Sequence, residues 1–126
     1  MKKILIVEDE SDTMRVLFDK LKQKEVEIIE AKNGAEGLEI ALKTKPDLIL
    51  LDIVMPIMDG LTMLKKIKTD PAVKNIPVII LTNYGDAEKI AEAIEIGACG
   101  YLIKVDLKID DLMEKVNEAL SLNNNP

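Results

Sequence analysis

Histidine and tryptophan are absent from this 126-residue chain, and cysteine occurs once, as Cys99. Without an imidazole the chain cannot build Ser-His or Cys-His nucleophile activation, and it cannot carry a group on a histidine of its own. One thiol excludes an internal disulfide and a cysteine-rich zinc site. No apolar run approaches the roughly 20 residues that span a bilayer. The opening Met1-Lys2-Lys3-Ile4-Leu5-Ile6-Val7 has the look of a signal peptide, but Glu8-Asp9-Glu10 ends it early and no small-residue cleavage site follows. A cytoplasmic protein with no membrane insertion is expected. The net charge of −6 gives no global attraction to nucleic acid or to an anionic membrane, so direct nucleic-acid binding is not expected.

What is present is an ordinary globular composition. At 48% hydrophobic and 32% charged residues the chain is able to fold rather than remain disordered, and its length suits one domain. Short apolar runs alternate with amphipathic stretches. The runs Lys3–Val7, Val26–Ala31, Asp47–Leu51, Pro77–Leu81 and Cys99–Ile103 read as strands. Between them, Met14, Leu17, Phe18 and Leu21 form a helical stripe. Asn33 with Glu36 reads as a helix start, followed by Leu38, Ala41 and Leu42 on the inward face. Asp59 is placed to cap a third helix carrying Leu61, Leu64 and Ile67. Asp86 is placed to cap a fourth carrying Ile90 and Ile94, and Gly97 to end it. Ile109, Leu112, Met113, Val116 and Leu120 mark the last helix. Five β-α units predict an α/β fold: a doubly wound five-stranded parallel sheet, (βα)5 and flavodoxin-like, of strand order 2-1-3-4-5.

Asp52 follows the run Leu48-Ile49-Leu50-Leu51, the pattern of a strand buried on both faces. A charge cannot sit inside such a strand unpaired, so Asp52 is expected at its carboxyl end, where open α/β sheets bind ligands. Alone it could be a helix cap. Glu8 and Asp9 after the first strand, Thr82 after the fourth and Lys104 after the fifth converge on the same edge. Three carboxylates in a small space call for a cation, and oxygen-only ligands suit Mg²⁺. A carboxylate nucleophile, a metal, an ammonium and a hydroxyl are the parts needed for phosphoryl transfer onto Asp52.

With these residues in order, the chain resembles the receiver domains of two-component response regulators, in their single-domain, chemotaxis-regulator-like form. The motifs are Ile6-Val7-Glu8-Asp9-Glu10, Leu51-Asp52-Ile53-Val54-Met55-Pro56 with Met58-Asp59-Gly60, Leu81-Thr82, and Gly97-Ala98 leading to Tyr101-Leu102-Ile103-Lys104. The resemblance implies a receiver domain over residues 1–122, with 123–126 a polar tail or the start of a linker. It implies a phosphoprotein rather than an enzyme: Asp52 accepts a phosphoryl group from the phosphohistidine of a sensor histidine kinase or a histidine phosphotransfer protein. Asp9 and Asp52 would bind Mg²⁺ directly, Glu8 through water, and the backbone carbonyl of Val54 would complete the set. Thr82 and Lys104 would hold phosphoryl oxygens, with Thr82 and Tyr101 forming the switch that a downstream protein reads.

Several positions depart from the family pattern. Val105 replaces the proline that usually follows the lysine, so a trans bond at 104–105 is expected. Asn83 is larger than the usual residue there and is expected to narrow access to Asp52. Val54 and Tyr84 flank the site where polar side chains would position water, so slow autodephosphorylation is expected. Ala98-Cys99-Gly100 and a lone arginine, Arg15, argue against the arginine–acid dimer of many DNA-binding members. A haloacid-dehalogenase-type phosphatase would want an acid at Val54, and a flavodoxin would not place Glu8-Asp9-Glu10 against a flavin phosphate. The remaining alternative is a degenerate receiver acting as a phosphorylation-independent adaptor.

Overall fold

The first, third and fourth apolar runs lie side by side at the centre of the sheet because their Ile, Leu and Val side chains are covered on both faces. In the computed structural model, which describes residues 1–22, 24–83 and 86–123, strands β1 (Lys2–Val7), β2 (Val26–Ala31), β3 (Leu48–Asp52), β4 (Val78–Thr82) and β5 (Gly100–Ile103) form one parallel sheet of order β2-β1-β3-β4-β5. β3 and β4 are buried throughout, as the unbroken aliphatic runs require. Helices α1 (Ser11–Leu21), α2 (Gly34–Thr44), α3 (Gly60–Thr69), α4 (Ala87–Ile96) and α5 (Ile109–Asn123) follow the strands in turn.

Strand alternation divides the core in two. Ile4, Ile6, Leu48, Leu50, Ile79 and Leu81 face α1 and α5 through Leu17, Leu112 and Val116. Leu5, Val7, Ile49, Leu51, Val78 and Ile80 face α2, α3 and α4 through Ala41, Leu64 and Ala93.

β3, β4 and β5 each start one residue later than the apolar runs predict, and β3 and β4 also end one later. Pro77 has no N–H to give the ladder, although its carbonyl accepts from Ile49 N at 3.0 Å. The shift matters: Asp52 and Thr82 are the last residues of their strands, not the first residues beyond them.

Helix faces differ in detail from the predicted stripes. Phe18 is 40% exposed, Leu42 38% and Ile94 45%. Ala41 is buried as expected, and beside it small residues take the inward places, Gly34 and Gly37 in α2 and Ala93 in α4. They do so because these helices lie close to the sheet: a side chain on Gly37 would meet Val7 at 2.9 Å and Met63 at 3.0 Å.

Asn33 and Asp59 cap α2 and α3, accepting from Glu36 N at 2.9 Å and Thr62 N at 2.8 Å. Gly97 closes α4 at φ +135°, with its N–H donating to Ala93 and Ile94 carbonyls. Asp86 does not cap α4 with its side chain. α5 continues through Leu122 to Asn123, beyond the expected start of the tail, while residues 124–126 lie outside the described residues. Cis peptide bonds are absent among the described residues, so the Lys104–Val105 bond is trans, as its non-proline sequence requires. The chain turns there through a short 3₁₀ segment, Lys104–Asp106.

Candidate functional site

Four strands deliver polar residues to the carboxyl edge of the sheet. Asp52 pairs in register with Leu81, Thr82 with Ile103, and Val7, just before Glu8, with Leu51. Glu8, Asp52 and Thr82 are the buried polar residues among those described, each at most 4% exposed. Lys104 enters from the end of β5. Its ammonium lies 2.6 Å from Glu8 Oε1, 2.9 Å from Glu10 Oε1 and 3.1 Å from Asp52 Oδ2.

The three carboxylates close enough to share one ion are therefore Glu8, Glu10 and Asp52. Asp9 is exposed and lies apart from that group. It lines a cleft of about 520 Å³ with Ser11, Arg15, Phe18 and Lys32, a cleft that Glu8 borders too. Ile4 and Ile6 face α1 and α5, and Glu8 continues that parity one step past β1. Beyond the bend at Asp9 the extended backbone of Glu10 (φ −83°, ψ 116°) brings its carboxylate back to Lys104. The chain bends at Asp9, beyond the end of β1, and the Asp9 side chain goes to the cleft beside α1. Glu10 was the residue that motif reading passed over, and two-residue alternation carried past Val7 was the signal that could have found it.

Glu8 is the most perturbed acid. Burial first, and then the neighbouring Asp52 carboxylate, push its pKa from 4.5 to about 8, against the opposing pull of Lys104. Neither carboxylate oxygen of Glu8 has a hydrogen-bond partner among the described residues, the close Lys104 contact being an ion pair out of hydrogen-bonding alignment. Burial works against the Lys104 charge, but the Glu8 and Glu10 carboxylates against it outweigh that and raise its pKa. The ammonium thus stays protonated at neutral pH.

Thr82 donates its hydroxyl to Asp86 Oδ2 at 3.0 Å, with the carbonyl of Asn83 at 3.3 Å. Asn83 is exposed, as is Tyr101 at 43%. Tyr84 lies outside the described residues.

The loop after β3 forms the rim, with Val54 61% and Ile57 84% exposed. Ile57 has φ +71°, and around it Met58 N–H donates to Pro56 O at 2.8 Å, a γ-turn centred on a β-branched residue. A side chain there is strained and gains no burial in return. Ile57→Gly is expected to raise the unfolding free energy by about 0.5–1 kcal/mol in urea titration, relief of strain exceeding the added chain entropy. Equal or lower stability would show the turn to be relaxed.

A buried carboxylate, a protonated lysine and a hydroxyl meet at one edge of a doubly wound sheet, the groups a transferred phosphoryl would need. A family profile described as the response regulator receiver domain matches residues 4–117. The chain is 40% identical over 124 residues to sporulation initiation phosphotransferase F of Bacillus subtilis (strain 168), covering 98% of this chain and 97% of that protein. It is 38% identical over 121 residues to chemotaxis protein CheY of Halobacterium salinarum, covering 95% and 98%. A crystal structure of a putative response regulator from Chloroflexus aurantiacus superposes with a TM-score of 0.90 at 30% identity, covering 95% of this chain and 98% of that one. The chain belongs to the response regulator receiver domain family, the phosphoacceptors of two-component systems. The adaptor alternative is not favoured.

Proposed function

We propose that Asp52 is the phosphoacceptor, taking a phosphoryl group from a phosphohistidine on a sensor histidine kinase or a histidine phosphotransfer protein. The observation that carries this is the convergence of Lys104 on Asp52 at 3.1 Å from the other end of the site. One Asp52 oxygen attacks phosphorus, the P–N bond of the donor breaks, and its electron pair stays on the imidazole nitrogen. Lys104 neutralises the phosphoryl oxygens, and the Thr82 hydroxyl donates to one of them.

The residues present fit a divalent ion. The evidence for fit is a cluster of carboxylate oxygens within 4.8 Å of one another and a buried Glu8 whose oxygens have no hydrogen-bond partner. Asp52 would hold Mg²⁺ with Glu8 and Glu10 beside it, Glu8 acting through water. Asp9 and the Val54 carbonyl, the ligands the family resemblance implies, would join it once Asp9 turns toward that cluster. The ion when bound supplies charge neutralisation for the transferring phosphoryl group. Tyr101 and Thr82 would report the phosphorylated state to a protein partner.

Incubation with acetyl phosphate and Mg²⁺ should add one phosphoryl group by intact mass, and Asp52→Asn should abolish the gain. Uptake that persists in Asp52→Asn would move the acceptor elsewhere. Slow self-dephosphorylation belongs to the same reading, because Val54 puts an apolar side chain at the rim where a polar one would orient the attacking water. Val54→Asn should shorten the phospho-Asp52 lifetime, by up to about a hundredfold, the lower end of general acid–base assistance. An unchanged lifetime would sink the idea.

A further inference from the structure

Three helices of this protein begin after an Asn or Asp, and one of them leaves that residue unused as a cap. Asn33 and Asp59 have extended backbones, at φ −159°, ψ 170° and φ −76°, ψ 169°, and accept from the amides of their helices. Asp86 precedes α4 with φ −94°, ψ 30°, makes no side-chain cap hydrogen bond, and accepts the Thr82 hydroxyl at 3.0 Å instead. Capping is the ordinary use of an aspartate at this position, and its loss leaves the first amides of α4 without a side-chain acceptor. Thr82 is 1% exposed and ends β4, one residue beyond the Asp52–Leu81 pair. A hydroxyl has one proton to donate, so a Thr82 held by Asp86 cannot donate to a group on Asp52 at the same time.

We propose that Asp86 is a positioning residue for the phosphorylation reaction: it holds the Thr82 hydroxyl away from Asp52, and the hydroxyl must leave Asp86 to meet the phosphoryl group. The diverted carboxylate thereby sets how readily the site closes on its phosphate. The inference rests on the reading of Asp52 as acceptor, but the contact itself belongs to the unphosphorylated protein and is measured there.

The test compares wild type with Asp86→Ala, Asp86→Asn and Thr82→Ala, and with the Asp86→Ala/Thr82→Ala double variant. Without any phosphodonor, Thr82 side-chain couplings by NMR should report one rotamer in wild type and in Asp86→Asn, whose amide oxygen still accepts. They should report averaging in Asp86→Ala. With acetyl phosphate and Mg²⁺, Asp86→Ala should be phosphorylated about tenfold faster, the scale of a lost hydrogen bond to a charged acceptor. Asp86→Asn, which keeps a neutral acceptor, should fall between wild type and Asp86→Ala. In the Thr82→Ala background the Asp86→Ala substitution should have no further effect on rate. A single Thr82 rotamer in Asp86→Ala overturns the proposal. So does a rate increase of equal size with and without the Thr82 hydroxyl, which would assign the effect to the removed charge. If no variant accepts a phosphoryl group, the Asp52 reading fails, and the rotamer comparison alone decides the Asp86 contact.

Discussion

In chelator-containing buffer, Glu8→Gln is expected to match wild type in stability below pH 4.5 and to exceed it by roughly 3 kcal/mol above pH 8. The direction follows from linkage. Glu8 has its pKa raised from 4.5 to about 8 in the folded protein, by burial first and by the Asp52 carboxylate next. Between those values the folded chain holds a proton that the unfolded chain has released, so wild-type stability falls as pH rises through this window. Its contribution is complete below 4.5 and lost above about 8. Gln does not titrate, and the difference between the two proteins isolates Glu8 from the other carboxylates. The magnitude is a fraction of what the shift would give for an isolated group, because Glu8 shares its environment with Asp52 and Lys104. A gap of this size should separate the two melting temperatures by on the order of 10 °C at high pH. Added Mg²⁺ should narrow the gap, since wild type then gains a counter-charge that Gln uses poorly. Parallel pH profiles for the two proteins would show that Glu8 ionises as freely in the fold as in the unfolded chain.

Gly60→Ala should destabilise the protein by about 3 kcal/mol in urea unfolding and slow phosphorylation of Asp52. Gly60 opens α3 directly against the backbone of Asp52. A Cβ there would collide with the Asp52 carbonyl oxygen and stand 2.9 Å from both Asp52 C and Ile53 Cα. Those atoms are main chain, pinned by Gly60 N–H donating to Ile53 O at 2.8 Å, and cannot swing aside as a flexible side chain would. The gain in helix propensity on going from Gly to Ala, about 1 kcal/mol, is too small to offset the clash. Gly100→Ala provides the contrast. Its nearest neighbour would be the Lys115 side chain at 4.0 Å, an ordinary contact, so stability should change little. Equal stability of Gly60→Ala and wild type would mean that α3 is free to shift away from β3.

The order of elements was readable because it depends on local pattern. Four aliphatic residues before Asp52 require a strand covered on both faces, and strict strand–helix alternation admits few topologies. Leu112, Val116 and Leu120 kept their places in the core for the same reason. The stripes failed where helix and sheet approach closely. Leu42 and Ile94 are apolar at helical spacing yet exposed, while the glycines and alanines beside them occupy the interface. Propensity and period do not encode that separation; the packed volumes of Val7 and Met63 do.

The site divides along the same line. By itself the sequence placed Asp52, Glu8, Thr82 and Lys104 at strand ends on one edge, because each belongs to a short motif whose position along a strand is a local property. Only the tertiary structure decided how their side chains meet. Lys104 and Glu10 are 94 residues apart, and their 2.9 Å contact exists because β1 and β5 arrive at the same sheet edge with particular parities. Asp9, adjacent to both Glu8 and Glu10 in the chain, stands outside their cluster because the chain bends there and turns its side chain into the cleft beside α1. Asp86 looked like a helix cap by every local rule, and its backbone angles together with a buried hydroxyl four residues earlier gave it to Thr82 instead. Chain pattern specifies which groups reach the edge; register, parity and loop conformation specify which of them touch.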